Sequence, residues 1–182
     1  MIKTLQISEK EAWDLAFNAL VNNNTSEDNA KEVADALISA EFDGQAGHGL
    51  SRIPSYVEQL TAGKVKGTEA PSIISSKGSV IRVDAKNGFA YPAISLALKE
   101  ITTTCKNFGI AAASITRSHH FGQAGRHVEI LADNGLIGLM FGNTPKAIPP
   151  WGGTKALFGT NPIAFSAPRE NDAPMVIDMS LS

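Results

Sequence analysis

A histidine and an arginine stand four residues apart where they could bind a small organic acid. His48 precedes a predicted helix, and Arg52 lies in the first turn of that helix. A guanidinium group matches a carboxylate in two hydrogen bonds, and an imidazole exchanges protons near neutral pH. The pair therefore suits a 2-oxo or 2-hydroxy acid, with Arg52 on the carboxylate and His48 facing the adjacent oxygen. The ordinary alternative is a solvated arginine beside a loop histidine.

A second pair of histidines, His119 and His120, follows a predicted buried strand and precedes a predicted helix. Ligands of α/β sheets bind beyond the carboxyl ends of the strands, and Gly122 would let a flat group approach closely. These histidines could instead satisfy backbone groups of a helix-capping loop. A metal site is the rival use for His48, His119, His120 and His127, but the sequence lacks the H-E-x-x-H spacing and has no cysteine near them.

Two later regions offer polar groups to a larger ligand. Residues 143–153 (NTPKAIPPWGG) and 159–162 (GTNP) are rich in proline and glycine, so their backbone amides could meet phosphate or amide groups or could form ordinary turns. Asp178 ends a predicted strand and is followed by Ser180 and Ser182, which suits a ribose, a nicotinamide amide or a helix cap. No G-x-G-x-x-G motif follows a strand and no P-loop motif is present, which argues against a Rossmann cofactor site.

Residues 8–62 carry the signatures of three helices. In the first two, apolar residues recur at i, i+3 and i+4, which predicts one buried stripe on each helix. These stripes consist of Ala12, Leu15, Ala16, Ala19 and Leu20, and of Ala30, Val33, Ala34, Leu37 and Ile38. Ile53, Tyr56, Val57 and Leu60 form the apolar face of the third helix, which Gly63 is predicted to end. The predicted caps are Ser8 with Glu11, then Thr25 or Ser26, and then Ser51.

After a predicted linker over residues 64–71, the pattern changes to alternating strands and helices. The predicted strands are 80–84, 110–116, 136–141, 163–167 and 175–178, and the predicted helices are 92–109 and 123–134. Strands that alternate with helices are typical of an α/β layer. The sequence therefore predicts a helical N-terminal module over residues 1–66 and an α/β domain over residues 67–182.

The composition is that of an ordinary globular protein. Of 182 residues, 43% are hydrophobic and 19% are charged, with a net charge of −2 and no run of like charges. We therefore expect neither nucleic acid nor an anionic membrane to be a partner. The first residues lack the apolar core of a signal peptide, and no apolar stretch approaches the ~20 residues that span a bilayer. The single cysteine, Cys105, is compatible with a reducing, cytoplasmic setting.

Taken together, the loop motifs resemble those of the type 2 malate/L-lactate dehydrogenase family. The family patterns are S-H-G-x-x-R, S-N-H-F-G-x-A-G, N-T before P-x-G-G and G-T-N-P, and D-x-S-x-S. In the same order this chain has GHGLSR from residue 47, SHHFGQAG from residue 118, NTPKAIPPWGG with GTNP, and DMSLS from residue 178. The family includes ureidoglycolate, L-sulfolactate and 2,3-diketogulonate dehydrogenases and cyclic imino acid reductases. The resemblance implies an α/β fold that binds NAD(P) without a Rossmann domain.

The resemblance also implies an oxidoreductase that transfers a hydride between NAD or NADP and a small 2-hydroxy or 2-oxo acid such as malate or lactate. By position, Arg52 matches the arginine that binds the substrate carboxylate, and His48 matches the first family histidine. His120 matches the histidine of S-N-H-F-G, and we expect it to exchange the proton while His48 orients and polarises the substrate oxygen. The cofactor-contacting positions are matched by Thr144, Asp178, Met179 and Ser180. A cytoplasmic homodimer without a metal is the expected form.

Two departures from the family pattern leave the substrate open. Gly47 stands where the family usually has serine, and His119 stands where it usually has asparagine. A cyclic imino acid reductase of the same family is the alternative, because the same residues would serve both substrates. Family members continue well beyond D-x-S-x-S, so the resemblance implies the N-terminal portion only, and a truncated sheet would expose edges and apolar faces. A non-catalytic remnant that binds a subunit or a ligand is the alternative from another class.

Overall fold

The computed structural model describes residues 6–180, so Leu181 and the predicted ligand group Ser182 lie outside the described residues. Within that range the chain forms two compact units, residues 6–122 and residues 123–180. Each unit is described by itself below. The division into domains at residues 66 and 67 remains a prediction from the sequence.

The first unit begins with three helices, α1 (Glu9–Val21), α2 (Glu27–Phe42) and α3 (Ile53–Thr61). The predicted capping box of α1 is confirmed, and Ser26 rather than Thr25 caps α2. The predicted cap of α3 is wrong, because the Ser51 hydroxyl donates a hydrogen bond to the carbonyl of Ala46 instead. Short 3-10 turns, Ala46–His48 and Leu50–Arg52, lead into α3, and Pro54 occupies its first turn. Proline is suited to that place because it has no N–H to leave unpaired.

The core of the first unit joins these helices to residues from later in the chain. All five predicted stripe residues of α2 are buried, as are Tyr56 and Val65. On α1 the prediction was wrong for Leu15, whose surface is 61% exposed. Trp13 contacts α2 instead, because its Nε1–H donates to Asp35 (2.6 Å) while its ring stacks on Phe17 at 4.8 Å.

A three-stranded sheet completes the first unit. It contains β1 (Ser72–Lys77), β2 (Val80–Asp84) and β3 (Ala112–Thr116), and α4 (Ala90–Phe108) connects the last two. β1 and β2 are antiparallel, whereas β2 and β3 are parallel. Buried residues of β2 and α4 form a second core cluster, which Ala113 and Ile115 cover from β3. The other residues of β3 are exposed, so the prediction of a buried strand there was wrong.

One strand of this unit was not predicted, whereas the end of α4 was. β1 was not predicted, because its sequence SIISSK does not alternate apolar and polar residues. The predicted end of α4 at Gly109 is confirmed, with the left-handed φ of +75° that favours glycine at this position. None of the described helices, α4 included, combines the length and the apolar character that crossing a membrane would require.

The second unit packs one helix on an antiparallel sheet. It consists of α5 (Ala124–Asp133), β4 (Gly138–Phe141), β5 (Ile163–Arg169) and β6 (Asp172–Met179), with the strand order β4-β5-β6. Gly138 allows the close approach of α5, because a Cβ there would lie 2.7 Å from the Ser166 hydroxyl oxygen and 3.1 Å from Val128. All predicted elements of this region are present. The described strands form two separate three-stranded sheets, one in each unit, where the sequence predicted a single α/β layer.

Candidate functional site

The structure brings together the two predicted histidines of the first unit. His48 ends a 3-10 turn just before α3, and His120 lies in the loop that follows β3. Their rings stack with centroids 5.5 Å apart and planes 11° from parallel. The sequence places these residues 72 positions apart, so it is the fold that pairs them. The His120 ring also stacks on Phe121, with centroids 6.1 Å apart.

A buried tyrosine holds the His120 ring. The Tyr56 hydroxyl lies 2.8 Å from Nδ1 of His120 and 3.0 Å from the hydroxyl of Tyr91. Only 1% of the surface of Tyr56 is exposed. The sequence placed Tyr56 on the apolar face of α3 and gave it no role in the site. The signal that could have found it is the hydroxyl itself, because a buried tyrosine needs a hydrogen-bond partner.

His119 packs near His120, with ring centroids 6.5 Å apart. Its Nε2 is 2.9 Å from the side-chain oxygen of Gln59, so Nε2–H donates and the neutral ring carries its proton there. Its Nδ1 is buried and has no hydrogen-bond partner among the described residues. The ring meets Tyr56 and Phe89 edge-on, with centroids 5.1 and 5.7 Å apart. His119 is thus a packing neighbour of the Tyr56 ring.

Burial keeps both histidines of this loop neutral at physiological pH. It lowers the pKa of His120 to about 4, assisted by the positive charge of Arg52 and by His48 and His119. It also lowers the pKa of His119 to about 4, assisted by Lys64. A neutral imidazole can accept a proton from a substrate hydroxyl group. A carboxylate bound at Arg52 would offset the charge of the guanidinium and so raise the pKa of His120.

Arg52 is half-buried at the start of α3, where the preceding loop fixes its side chain. Its Nε–H donates to the carbonyl of Gly47, which leaves the two terminal nitrogens of the guanidinium for a carboxylate. The loop is anchored on α2, because the Glu41 carboxylate accepts the backbone N–H of Leu50 at 2.6 Å. Gly49 permits this contact, since a Cβ there would lie 2.1 Å from the same carboxylate oxygen.

Gly122 permits a close contact inside the protein. A Cβ at this position would lie 2.5 Å from the hydroxyl oxygen of Tyr91, while the approach of a flat ligand to Gly122 stays a prediction. Its φ of +69° is in the left-handed region that favours glycine. Gly122 therefore lets the loop close on Tyr91, beside the hydroxyl pair that holds His120.

In the second unit, Thr144 joins the two predicted ligand loops. Its backbone N–H donates to the side-chain oxygen of Asn161 at 3.1 Å, and its hydroxyl accepts the backbone N–H of Asn161 at 3.2 Å. A Cβ on Gly159 would lie 2.3 Å from the Thr144 carbonyl oxygen, so glycine is required for the loops to meet. The 143–153 and 159–162 segments thus form one structure, with Thr144 half-buried at its centre.

Asp178, the penultimate residue of β6, lies beside the first turn of α5. Its carboxylate accepts the backbone N–H of Gly125 at 2.7 Å, which places a negative charge at the positive end of the helix. The sequence allowed a helix-capping role for Asp178. In the structure its carboxylate contacts the start of α5, a helix that precedes Asp178 in the chain. Asp178, Met179 and Ser180 are exposed. Asp178 offers a hydrogen-bond acceptor, Ser180 a hydroxyl group and Met179 an apolar surface. These groups are compatible with a ribose and with a flat ring that carries an amide.

The rival metal site receives no ligand set from these contacts. Nδ1 of His120 faces Tyr56, and Nε2 of His119 faces Gln59. His127, the fourth histidine, is buried in α5 of the second unit. Over residues 6–180, no group of three or more His, Cys, Asp or Glu side chains could hold a metal ion.

Comparison with known proteins decides the family. The family model described as malate/L-lactate dehydrogenase matches residues 7–182. The chain belongs to the malate/L-lactate dehydrogenase family. The resemblance of the four loop motifs is thereby confirmed, and so is the fold class predicted from it.

Relatives within the malate/L-lactate dehydrogenase family differ in their substrates. The (2R)-3-sulfolactate dehydrogenase (NADP(+)) of Chromohalobacter salexigens is 48% identical over 97% of this chain and 53% of its own length. The Delta(1)-pyrroline-2-carboxylate/Delta(1)-piperideine-2-carboxylate reductase of Pseudomonas syringae pv. tomato is 37% identical over 98% and 52%. The crystal structure of malate dehydrogenase from Entamoeba histolytica aligns with a TM-score of 0.92 at 27% identity, over 98% and 50%. The chain thus spans about half the length of these relatives.

The buried histidines of this family member predict a pH-dependent stability. Their pKa is about 4 in the folded chain and 6.5 in the unfolded chain, so they stabilise the fold fully only above pH 6.5. The free energy of unfolding, measured by urea denaturation, should fall as the pH decreases from 6.5 to about 4. His119→Gln and His120→Gln should each reduce this fall relative to the unchanged chain. The titration of the carboxylates contributes equally in all three proteins, so the difference reports the histidine. The same pH dependence in all three proteins would contradict the burial argument.

Proposed function

We propose that this chain carries the acid/base and carboxylate-binding residues of an oxidoreductase that interconverts a small 2-hydroxy acid and its 2-oxo acid with NAD(P). The observation that supports it most strongly is the stacked pair of His48 and His120, with Tyr56 on Nδ1 and Arg52 close enough to lower the pKa of His120. An acid/base group beside a carboxylate-binding group is what the reaction needs at neighbouring atoms of its substrate.

In the proposed mechanism, three side chains contact the substrate. The terminal nitrogens of Arg52 bind the carboxylate, which fixes the neighbouring C2 and its oxygen. His120, neutral before substrate binds, accepts the hydroxyl proton during oxidation and returns it during reduction. His48, stacked on His120 at 5.5 Å, orients and polarises the same oxygen. Bound carboxylate offsets the charge of Arg52, so the pKa of His120 rises toward the working pH as substrate enters.

The cofactor is assigned to the second unit. When bound, NAD(P) accepts the hydride from C2 or supplies it. Thr144, Asp178, Met179 and Ser180 are the residues that we propose to hold it, through a hydroxyl, a carboxylate and an exposed apolar side chain. The relative that is 48% identical is an NADP(+) enzyme by name, which supports NADP before NAD.

A cyclic imino acid reductase is the second candidate. The 37% identity to the pyrroline- and piperideine-2-carboxylate reductase supports it. Such a substrate has a carboxylate beside a C=N bond, so Arg52 and His120 would serve it in the same way, with the proton delivered to nitrogen. Rates with pyruvate, oxaloacetate, sulfopyruvate and the two cyclic imino acids, each with NADH and NADPH, distinguish the two candidates.

Two further expectations belong to the same proposal, and one alternative stands against it. A cytoplasmic homodimer agrees with the family resemblance and with the single cysteine, and light scattering after size-exclusion chromatography tests the dimer. The expectation of no nucleic-acid or membrane partner follows from the net charge of −2. The alternative of a non-catalytic remnant is tested by titration with NADH and NADPH, where saturable binding would speak against it.

Replacing Arg52 should weaken the binding of substrate more than it slows the chemical step. Arg52→Ala removes charge-assisted hydrogen bonds of about 1.5–3 kcal/mol, so KM for the best acid should rise roughly 10- to 100-fold. Arg52→Lys keeps the charge but loses the bidentate geometry, so its KM should lie between those of the unchanged protein and Arg52→Ala. Arg82→Ala, which removes an exposed arginine of β2, is the matched control. An unchanged KM in Arg52→Ala for every acid in the panel would reject the carboxylate role.

Replacing His120 should slow turnover. His120→Gln should lower kcat by about 10²- to 10⁴-fold, because it removes the group that exchanges the proton. His48→Gln should cost less, since that residue only orients and polarises the oxygen. Steady-state rates at saturating substrate and cofactor measure both. A loss of tenfold or less in His120→Gln, with a larger loss in His48→Gln, would transfer the acid/base role to His48.

A further inference from the structure

Three hydrogen-bonding groups form a chain under the candidate site. The Tyr91 hydroxyl lies 3.0 Å from the Tyr56 hydroxyl, which lies 2.8 Å from Nδ1 of His120. Tyr91 comes from α4, Tyr56 from α3 and His120 from the loop after β3, so three separate elements contribute to one chain of contacts. These are the only two tyrosines in the sequence. Both are buried, with exposed surface fractions of 3% for Tyr91 and 1% for Tyr56.

Proton counting limits how this chain can be arranged. Burial, with Tyr91 beside it, raises the pKa of Tyr56 far above its usual value, so the phenol keeps its proton. Because the proton of the buried Tyr56 hydroxyl must itself be donated to one of its two partners, two arrangements remain. In one, Tyr91 donates to Tyr56 and Tyr56 donates to Nδ1, which puts the ring proton of neutral His120 on Nε2. In the other, Nδ1–H donates to Tyr56 and Tyr56 donates to Tyr91, which leaves the lone pair on Nε2.

We propose that Tyr56, supported by Tyr91, is a positioning residue that holds His120 in the second arrangement. Nε2 is then the nitrogen that exchanges the substrate proton. This inference rests on the proposed function of His120. During oxidation the hydroxyl proton of the substrate moves to Nε2, and the hydride from C2 goes to the nicotinamide cofactor. The imidazolium that results still donates Nδ1–H to Tyr56, so no group beneath the ring has to move, and reduction follows the same steps in reverse.

The backbone that follows His120 packs closely against this hydroxyl pair. Gly122, two residues after His120, approaches Tyr91 so closely that a Cβ would lie 2.5 Å from its hydroxyl oxygen. The rings also pack, since Tyr56 lies 5.6 Å from Phe89 and 5.1 Å from His119 between centroids. Phenylalanine would preserve that packing and remove only the hydroxyl. Tyr56→Phe therefore separates positioning of the imidazole from filling of the core.

The experiment is long-range ¹H–¹⁵N NMR of the imidazole groups, which reports both the tautomer and the pKa of each histidine. In the unchanged protein we expect His120 to carry its proton on Nδ1. In Tyr56→Phe we expect a shift toward the Nε2–H tautomer, a changed pKa for His120, and a kcat lowered about five- to tenfold with little change in KM. Tyr91→Phe should change His120 in the same direction by less, because it acts through Tyr56. Thr61→Val, which removes an exposed hydroxyl from the same helix, is the control.

An unchanged tautomer and pKa of His120 in folded Tyr56→Phe would overturn the proposal. If that variant does not fold, Tyr91→Phe decides, and an unchanged His120 there would overturn it equally. The readout does not depend on turnover, so the two proposals can fail separately. A protein inactive on every 2-oxo and imino acid, with a His120 tautomer that Tyr56→Phe changes, would support the positioning role and reject the proposed function.

Discussion

The hydroxyl of Tyr56 is a polar group that must find partners inside a hydrophobic core, and the candidate site depends on how it does so. A buried hydroxyl without a hydrogen bond costs on the order of 1–3 kcal/mol. Here the partners are Tyr91 on one side and Nδ1 of His120 on the other. The hydroxyl that links α3 to α4 therefore also contacts the imidazole. Because three elements meet at one hydroxyl, the orientation of the ring follows from the fold of the first unit.

Burial has an electrostatic consequence that an exposed histidine would not have. The environment that orders His120 also removes water from it, and the positive charge of Arg52 acts in the same direction on its pKa. The imidazole is therefore neutral at physiological pH. In the proposed function this arrangement would couple substrate binding to protonation, since one carboxylate would both pair with Arg52 and make His120 easier to protonate. The arrangement suits a reaction in which a proton and a carboxylate must lie on neighbouring atoms.

Much of the fold could be predicted because it is encoded locally. The capping box at Ser8, the buried stripe of α2 and the left-handed glycine after α4 each follow from residues near one another in the chain. The errors arise where distant contacts decide. Leu15 faces solvent because Trp13 binds Asp35 of α2 instead, and Ser51 fails to cap α3 because its hydroxyl binds Ala46. For the candidate site, motif order predicted roles for His48, Arg52 and His120, and these roles stay predictions. Only the fold shows that the buried Tyr56 lies within hydrogen-bond distance of His120.

The pKa of His120 with and without oxamate, an unreactive analogue of a 2-oxo acid, tests the central claim most directly. An NMR titration of the imidazole should give about 4 for the free protein and a clearly higher value when oxamate is saturating. In Arg52→Ala the free pKa should already be higher, and oxamate should bind weakly and change it little. Saturable binding of oxamate that leaves the pKa of His120 unchanged would contradict the account, because the carboxylate would then bind away from Arg52 and His120.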